Sequence, residues 1–218
     1  AASVPAIGSL GAGDLCLMAH LALAMIGEGE AELGGERGPA ADLLRKAGLA
    51  PAMLGPKDGL ALINASSLGA GLAALALDEE RALCGALQVA AALTMEGFRA
   101  SSTPLDERVV AARPQPGQAE ASAELRRLLS GGLLLEPGQA RRLQDPISLR
   151  CAGVVHGALL ATIGFAEAAL APELNGAADN PLILPDEGEV LSTGNFHTPL
   201  LALSLDQVAL AAAQAGAN

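Results

Sequence analysis

The residues that could take part in chemistry lie in a Gly-rich loop near the start of the sequence and at single polar positions within apolar segments. The loop reads Gly8-Ser9-Leu10-Gly11-Ala12-Gly13-Asp14 and leads into a predicted helix that Asp14 can cap. Backbone N–H groups of such a loop point outward at a helix start and can bind an anion. The loop lacks the Lys-Ser/Thr pair of a P-loop, so a plain tight turn is the competing interpretation.

Asn64 and Arg150 are the single polar residues that stand out, one inside an apolar segment and one at the head of the longest apolar helix. A buried amide without partners costs about 1 to 3 kcal/mol, so Asn64 must find hydrogen bonds. For either residue alone, a structural contact or an ordinary surface Arg explains the position as well as a site role does. His20, His156 and His197 lack the spacing of metal ligands, and no metal site is expected.

Composition favours a bundle of closely packed helices. Of the 218 residues, 51% are hydrophobic, yet only three are aromatic, so Ala, Leu, Val and Ile make up the apolar mass. Ala and Leu are strong helix formers, and 26 Gly with 13 Pro supply the breaks. We therefore predict a mostly α fold. The net charge of −11 opposes binding to nucleic acid or to anionic lipid surfaces.

The cysteines indicate a reducing compartment. Cys16, Cys84 and Cys151 are odd in number and widely spaced, which favours neither a disulfide framework nor a metal cluster. No basic segment followed by an apolar stretch opens the sequence, so no signal peptide is expected. A cytoplasmic protein is the prediction.

The segment from Cys151 to Ala171 is apolar and long enough to span a bilayer. It contains His156 and Glu167, and a charged Glu facing lipid would cost roughly 2 to 3 kcal/mol. A fully buried bundle helix is therefore favoured over a membrane span.

The elements that must position these residues follow from apolar periodicity and from Gly, Pro and acidic residues at the breaks. The predicted turns and loops span 34–40, 113–118, 131–145 and 175–181. The predicted helices span 14–27, a short stretch after residue 40, 56–77, 78–99, 119–130, 148–171 and 199–215. The apolar segment over 56–77 contains Asn64. The helix over 78–99 has Asp78-Glu79-Glu80 as its acidic start. A short β-hairpin is predicted near 182–192.

Taken together, several segments resemble the family of histidine and phenylalanine ammonia-lyases, and they follow in that family's order across nearly the whole sequence. The matching segments are Val4-Pro5 with Gly8 to Leu15, Gly59-Leu60-Ala61-Leu62-Ile63-Asn64, Arg113-Pro114 with Pro116-Gly117-Gln118, Gln144-Asp145-Pro146 with Ser148 to Cys151, Asn175 with Asp179 to Leu182, and Gly194 to His197.

The resemblance implies that residues 1–218 form the central part of a longer domain, an all-α bundle of long helices of the ammonia-lyase and fumarase type. It implies a homotetramer, or complementing chains, with sites built from several subunits. In this family an Ala-Ser-Gly tripeptide cyclises to a methylidene-imidazolone, so no external cofactor is needed, and ammonia leaves an α-amino acid. The implied catalytic residues are Ala12, Gly13, Asn64 and Arg150. Asn64 would contact the electrophile, and Arg150 would pair with the substrate carboxylate. Gln144, Asn180 and Phe196 would line the pocket.

The sequence departs from the family pattern at three places, one of which is Thr198-Pro199 after His197, where the family commonly has Gly-Glu. Gly11-Ala12-Gly13-Asp14 contains no Ser between Ala and Gly, and Ile147 stands where the family has Tyr. Without that Ser the exocyclic methylene has no source. The main hypothesis is an ammonia-lyase acting on an aromatic or imidazole amino acid, histidine favoured. The alternative is a catalytically inactive relative with a structural or regulatory role.

Overall fold

The computed structural model describes residues 1–9 and 11–218, so Leu10 of the Gly-rich loop lies outside the described residues. The described chain forms a first unit, Ala1–Ala73 with Leu170–Leu200, and a second unit, Ala74–Ala169 with Leu201–Asn218. The helices are α1 (Leu15–Met25), α2 (Ala40–Lys46), α3 (Asp58–Ile63), α4 (Ser67–Phe98), α5 (Glu107–Ala112), α6 (Gln118–Leu128), α7 (Ile147–Asn175) and α8 (Pro199–Gly216). The strands are β1 (Glu30–Leu33), β2 (Glu36–Pro39), β3 (Leu182–Leu184) and β4 (Glu189–Leu191). The helix-rich fold and the β3–β4 hairpin confirm the prediction of a mostly α chain with a short hairpin near 182–192.

A second hairpin, β1–β2, lies in the first unit where we predicted a polar connection over 34–40. Leu33 pairs with Glu36, so Gly34 and Gly35 form the two-residue turn, with φ angles of 59° and 86°. Two successive residues with positive φ favour Gly at both positions, and Gly-Gly between two short strands is a hairpin signal. The prediction was wrong because the strands carry charged residues rather than alternating apolar ones.

Helix α4 runs without a break from Ser67 to Phe98, so the predicted helix start at Asp78-Glu79-Glu80 is wrong. Asp78 and Glu79 are exposed, which lets the helix pass through them with both carboxylates in solvent. In the second unit one face of α4 is buried, at spacings of three, four and seven residues typical of a helix. That face consists of Leu77, Cys84, Gln88, Ala92 and Met95.

The core of the second unit is built from apolar residues of α4, α6 and α7 and of the loops between them. Its buried members are Ala92, Met95, Ala100, Leu105, Leu125, Leu129, Leu134, Leu149 and Ala152. At the rim, Arg81 of α4 and Glu167 of α7 form a bidentate pair, Nε to Oε1 at 3.0 Å and Nη2 to Oε2 at 2.6 Å. Both side chains are about two-fifths exposed, so this pair orients the helices more than it stabilises them.

The start of α6 touches α7 through backbone alone. A Cβ placed on Gly157 would lie 2.6 Å from the N and Cα atoms of Gln118, and one on Gly117 would lie 2.0 Å from the carbonyl oxygen of Gly157. Gly117 also has a φ of +78°. Only glycine fits at either position, which gives the Pro-Gly-Gln turn at 116–118 a structural reason.

Two helical stretches, Asp58–Phe98 and Ile147–Asn175, are long and apolar enough to cross a membrane by length and composition. This is weak evidence for a span, because core helices of soluble proteins have the same property. In the most apolar window of each stretch only a minority of residues is buried, 22% and 39%. Both stretches therefore present apolar surface that is not covered by other residues of this chain.

Substituting Gly157→Ala tests the α6–α7 contact. The added methyl group must displace backbone atoms, and overpacking of this kind costs about 1 to 3 kcal/mol of unfolding free energy. Gly164→Ala is the matched control, because it lies in the same helix with nothing within 4 Å of the new Cβ. The control should be neutral or stabilising by up to about 1 kcal/mol. Chemical denaturation compares the two, and equal effects would contradict the close contact.

Candidate functional site

Asp14 fixes the Gly-rich loop to the start of α4 in the first unit. Its backbone N–H donates to the carbonyl oxygen of Ala65 at 2.8 Å, and its Oδ2 accepts from the N–H of Gly69 at 2.6 Å. The side chain makes no capping bond to α1, so the predicted role was wrong. Gly69 lies in the first turn of α4, where backbone N–H groups lack intrahelical partners. A carboxylate held there also meets the positive end of the helix dipole.

The backbone around Ala12 and Gly13 is held from both sides. Gly13 is buried with a φ of +89°, a conformation that favours glycine, while Ala12 is exposed. The carbonyl oxygen of Gly11 lies 3.0 Å from Nδ1 of His197 and accepts a hydrogen bond from the tautomer protonated there. The loop is thus fixed against the segment that follows β4 as well as against the start of α4.

Asn64 lies at the C-terminal end of α3. The prediction that it lies inside a helix was wrong. It is buried, and its Nδ2 donates to Oδ1 of Asp179 at 3.2 Å and to the carbonyl oxygen of Asn180 at 3.4 Å. Asp179 also forms an ion pair with Lys57, the residue that precedes α3. The hydrogen-bond partners that a buried Asn64 needs are therefore provided by the turn over 175–181.

Asn180 and Phe196 lie beside the same group of residues. Oδ1 of Asn180 accepts from the N–H of Thr193 at 2.7 Å, which ties the 175–181 turn to the end of the β3–β4 hairpin. The carbonyl oxygen of Phe196 accepts from Oγ of Ser66 at 3.5 Å. The first unit therefore brings together Ala12, Gly13, Asn64, Asn180 and Phe196, five of the predicted site residues.

Gln144 and Arg150 belong to the second unit. Gln144 is exposed in the loop before α7. Arg150 is half-buried in the first turn of α7, and its Nε atom is buried with no hydrogen-bond partner among the described residues. A buried guanidinium donor without a partner is costly, which points to an anionic or polar group that completes it.

A cavity of about 330 Å³ in the first unit adjoins this cluster through His197. Glu173, Asn195 and His197 line it together with residues of the 176–178 turn. Burial raises the pKa of the Glu173 carboxyl. Among residues 1–9 and 11–218, no group of three or more His, Cys, Asp or Glu side chains is placed to hold a metal ion.

Sequence reasoning missed the part played by Lys57 and Asp179. Lys57 lies at the start of the predicted apolar segment over 56–77 and Asp179 in the motif over 175–182, and neither had a predicted role of its own. The Lys57 ammonium lowers the pKa of the Asp179 carboxyl, and the hydrogen bond from Asn64 acts in the same direction. A Lys before a short helix and an Asp far along the sequence give no local signal that they meet.

Replacing Asp14 with Ala tests the link between the loop and α4. Losing a capping carboxylate costs about 0.5 to 2 kcal/mol of unfolding free energy. Asp78→Ala is the control, because Asp78 is exposed on the same helix, and a surface change there should stay within about 0.5 kcal/mol. Denaturant unfolding measures both, and equal losses would show that Asp14 does not cap α4.

Replacing Lys57 with Met tests the ion pair. Because the folded pKa of Asp179 is lowered, its carboxylate stabilises the fold fully above the ordinary Asp pKa of about 3.9 and loses that contribution as pH falls through the lowered value. Lys57→Met should raise the pKa of Asp179 and shrink this stabilisation. NMR titration of the carboxyl carbon measures it. Lys46→Met, which breaks an exposed pair with Glu36, should leave Asp179 unchanged.

Comparison with known proteins agrees with the resemblance. A model of the aromatic amino acid lyase family matches residues 1–218. The histidine ammonia-lyase of Anaeromyxobacter dehalogenans (strain 2CP-C) is 47% identical over 225 residues, which are 98% of this chain and 44% of that relative. The histidine ammonia-lyase of Deinococcus radiodurans is 44% identical, over 98% of this chain and 41% of that relative. The chain thus spans less than half the length of these curated relatives.

Solved structures give the same result. The ergothioneine-degrading enzyme ergothionase of Treponema denticola superposes with a TM-score of 0.92 at 34% identity, over 98% of this chain and 43% of that one. The histidine ammonia-lyase of Trypanosoma cruzi superposes with a TM-score of 0.85 at 36% identity, over 99% and 40%. Sequence and fold together show that the chain belongs to the aromatic amino acid lyase family.

Proposed function

We propose that this chain is the central portion of an ammonia-lyase that acts on an aromatic or imidazole α-amino acid, with histidine as the favoured substrate. The observation that carries the proposal is the cluster of Asn64, Asn180 and Phe196 around the Gly-rich loop, in a chain whose curated relatives at 44 to 47% identity are histidine ammonia-lyases. The reaction breaks the bond between the α-carbon and the amino nitrogen, removes a β-proton and leaves an α,β-unsaturated acid.

The side chains of this chain supply binding groups for such a substrate. The unpaired, buried Nε of Arg150 supports a role in holding the carboxylate, because the planar guanidinium can donate two parallel hydrogen bonds to it. Phe196 would offer an apolar surface to the ring, and Gln144 and Asn180 would line the pocket. Asn64 would meet the reacting end of the amino acid.

Ala12 and Gly13 do not fit the electrophile of the family. Ala12 is joined directly to Gly13, and the nearest hydroxyl in the loop is that of Ser9, which accepts from the N–H of Gly11 at 3.4 Å. A methylidene-imidazolone needs a Ser side chain between the Ala and the Gly to lose water. We therefore assign no step to that group, and we propose no external cofactor in its place.

The direct Ala12–Gly13 bond favours a second candidate function. A relative that still binds the amino acid but does not eliminate ammonia would act as a structural or regulatory partner. Ile147, which stands where the family has Tyr, supports this candidate because it removes a phenol that could accept or donate a proton.

We also propose that the chain functions in an assembly, as a homotetramer or with complementing chains, in a long-helix bundle of the fumarase type. Large apolar side chains on α4 support association, because they are 45 to 69% exposed. In the second unit they are Leu75, Leu83, Val89 and Leu93. The charge of −11 disfavours nucleic acid and anionic lipid as partners, and a cytoplasmic location completes the proposal.

Inserting Ser between Ala12 and Gly13 of the complete protein tests the lyase proposal. The insertion restores the tripeptide, so a peptide spanning residues 10–15 should gain the mass of one Ser less two waters. Ammonia release from histidine should then rise at least ~100-fold, the lower end of what one catalytic group contributes. Mass spectrometry and an assay for the unsaturated acid measure the two effects. Inserting Ala at the same place is the control.

The unaltered protein distinguishes the two candidates in the same assays. Binding of histidine without ammonia release, with activity gained only on Ser insertion, supports the binding relative on a lyase scaffold. Ammonia release by the unaltered protein supports the lyase directly. If the Ser-inserted protein carries the dehydrated mass, binds histidine and still releases no ammonia, the lyase proposal is wrong.

A further inference from the structure

The carboxylate of Asp179 contacts both ends of α3. One oxygen accepts from Lys57, the residue before the helix, and the other accepts from Nδ2 of Asn64, the residue after it, at 3.2 Å. The side chains of Lys57 and Asp179 are 29% and 23% exposed, so the pair is partly shielded from solvent. Lys57 has a φ of +73°, which non-glycine residues rarely adopt and which the surrounding contacts must maintain.

These contacts determine which way the Asn64 amide faces. Both groups that contact Nδ2, the Asp179 carboxylate and the Asn180 carbonyl, accept hydrogen bonds and cannot donate them. Exchanging the oxygen and nitrogen of the amide would set Oδ1 against two other oxygens. The orientation with Nδ2 toward Asp179 is therefore the only one that the hydrogen bonds allow. Within the described part of the chain, Oδ1 of Asn64 has no hydrogen-bond partner.

We propose that Lys57 and Asp179 are positioning residues that hold the Asn64 amide with Oδ1 free to accept a hydrogen bond from the amino group of a bound amino acid. This inference rests on the proposed function for its ligand, but the orientation of the amide does not depend on it. Lys57 acts through Asp179, because the ion pair holds the carboxylate in place against Asn64. An acceptor at this point favours ligands that carry an N–H donor on the α-carbon.

The first measurement follows the Asn64 side-chain NH2 by NMR in the complete protein, with the signal assigned from its loss in Asn64→Asp. We expect slow hydrogen exchange in the unaltered protein and exchange at least 10-fold faster in Asp179→Ala and in Lys57→Met. Asp186→Ala, in the exposed turn between β3 and β4, and Lys46→Met are controls that should leave exchange unchanged. Lys57→Arg keeps the charge and should retain most of the protection.

The second measurement compares the affinity of histidine with that of 3-(imidazol-4-yl)propionate, which lacks the α-amino group. We expect the preference for histidine to fall about 10-fold in Asp179→Ala and Lys57→Met, the loss of one hydrogen bond to a charged group. Affinity for the propionate should hardly change, and the two control variants should keep the full preference. A general loss of structure would instead weaken both ligands together.

The outcomes separate this inference from the proposed function. Unchanged exchange in both Asp179→Ala and Lys57→Met overturns the inference. Faster exchange with an unchanged preference for histidine shows that the pair is structural only, and overturns the positioning role. If the unaltered protein binds neither ligand, the proposed function fails and the ligand part of the inference fails with it, while the exchange data still decide how the amide is held.

Discussion

The Asp14 carboxylate is the contact on which the arrangement of the site depends. It is buried, and it accepts from the N–H of Gly69 in the first turn of α4, while its own N–H donates to Ala65. Helix α4 is the longest in the chain, and its N-terminus would otherwise leave donors without partners. The side chain of Asp14 therefore accepts from one N–H of the helix end, while its backbone N–H holds the loop beside Ala65. The Gly-rich loop is thus held next to Asn64, because Ala65 directly follows Asn64 in the chain.

Around Asn64, polar contacts join segments of the first unit. Segments without regular structure meet through the Asp179 pair with Lys57, through the bond from Asn64 to Asn180 and through the bond from Thr193 to Asn180. Hydrogen bonds to charged groups are directional and strong when partly shielded from water. The second unit is held differently, by buried Leu, Met and Ala side chains and by close helix contact.

Much of the fold could be predicted from the sequence because it follows local rules. The long apolar run of α7, the amphipathic α6 and the Pro-Asp-Glu-Gly turn between β3 and β4 each carry their own signal. The start of α4 and the β1–β2 hairpin were not predicted, because an acidic triplet inside α4 imitates a helix start and charged strands conceal the Gly-Gly turn between them. A helix-capping residue usually lies within a few residues of the helix start, but Asp14 accepts a hydrogen bond from the N–H of Gly69, 55 residues away. The contact between Lys57 and Asp179 spans 122 residues and has no sequence signature. The predicted site roles came from the family resemblance, and they remain predictions for every residue of the candidate site.

The backbone contact between Gly117 and Gly157 limits how this part of the protein can change through evolution or engineering. At most packed positions a larger residue can be accommodated by a smaller one opposite it, so that two substitutions restore the fit. Here both members already lack a side chain, and the nearest atoms belong to the backbone. No second substitution can make room, so a change at either glycine cannot be compensated locally. Variation in this region must therefore be carried by the residues around the contact, while the joint itself stays invariant.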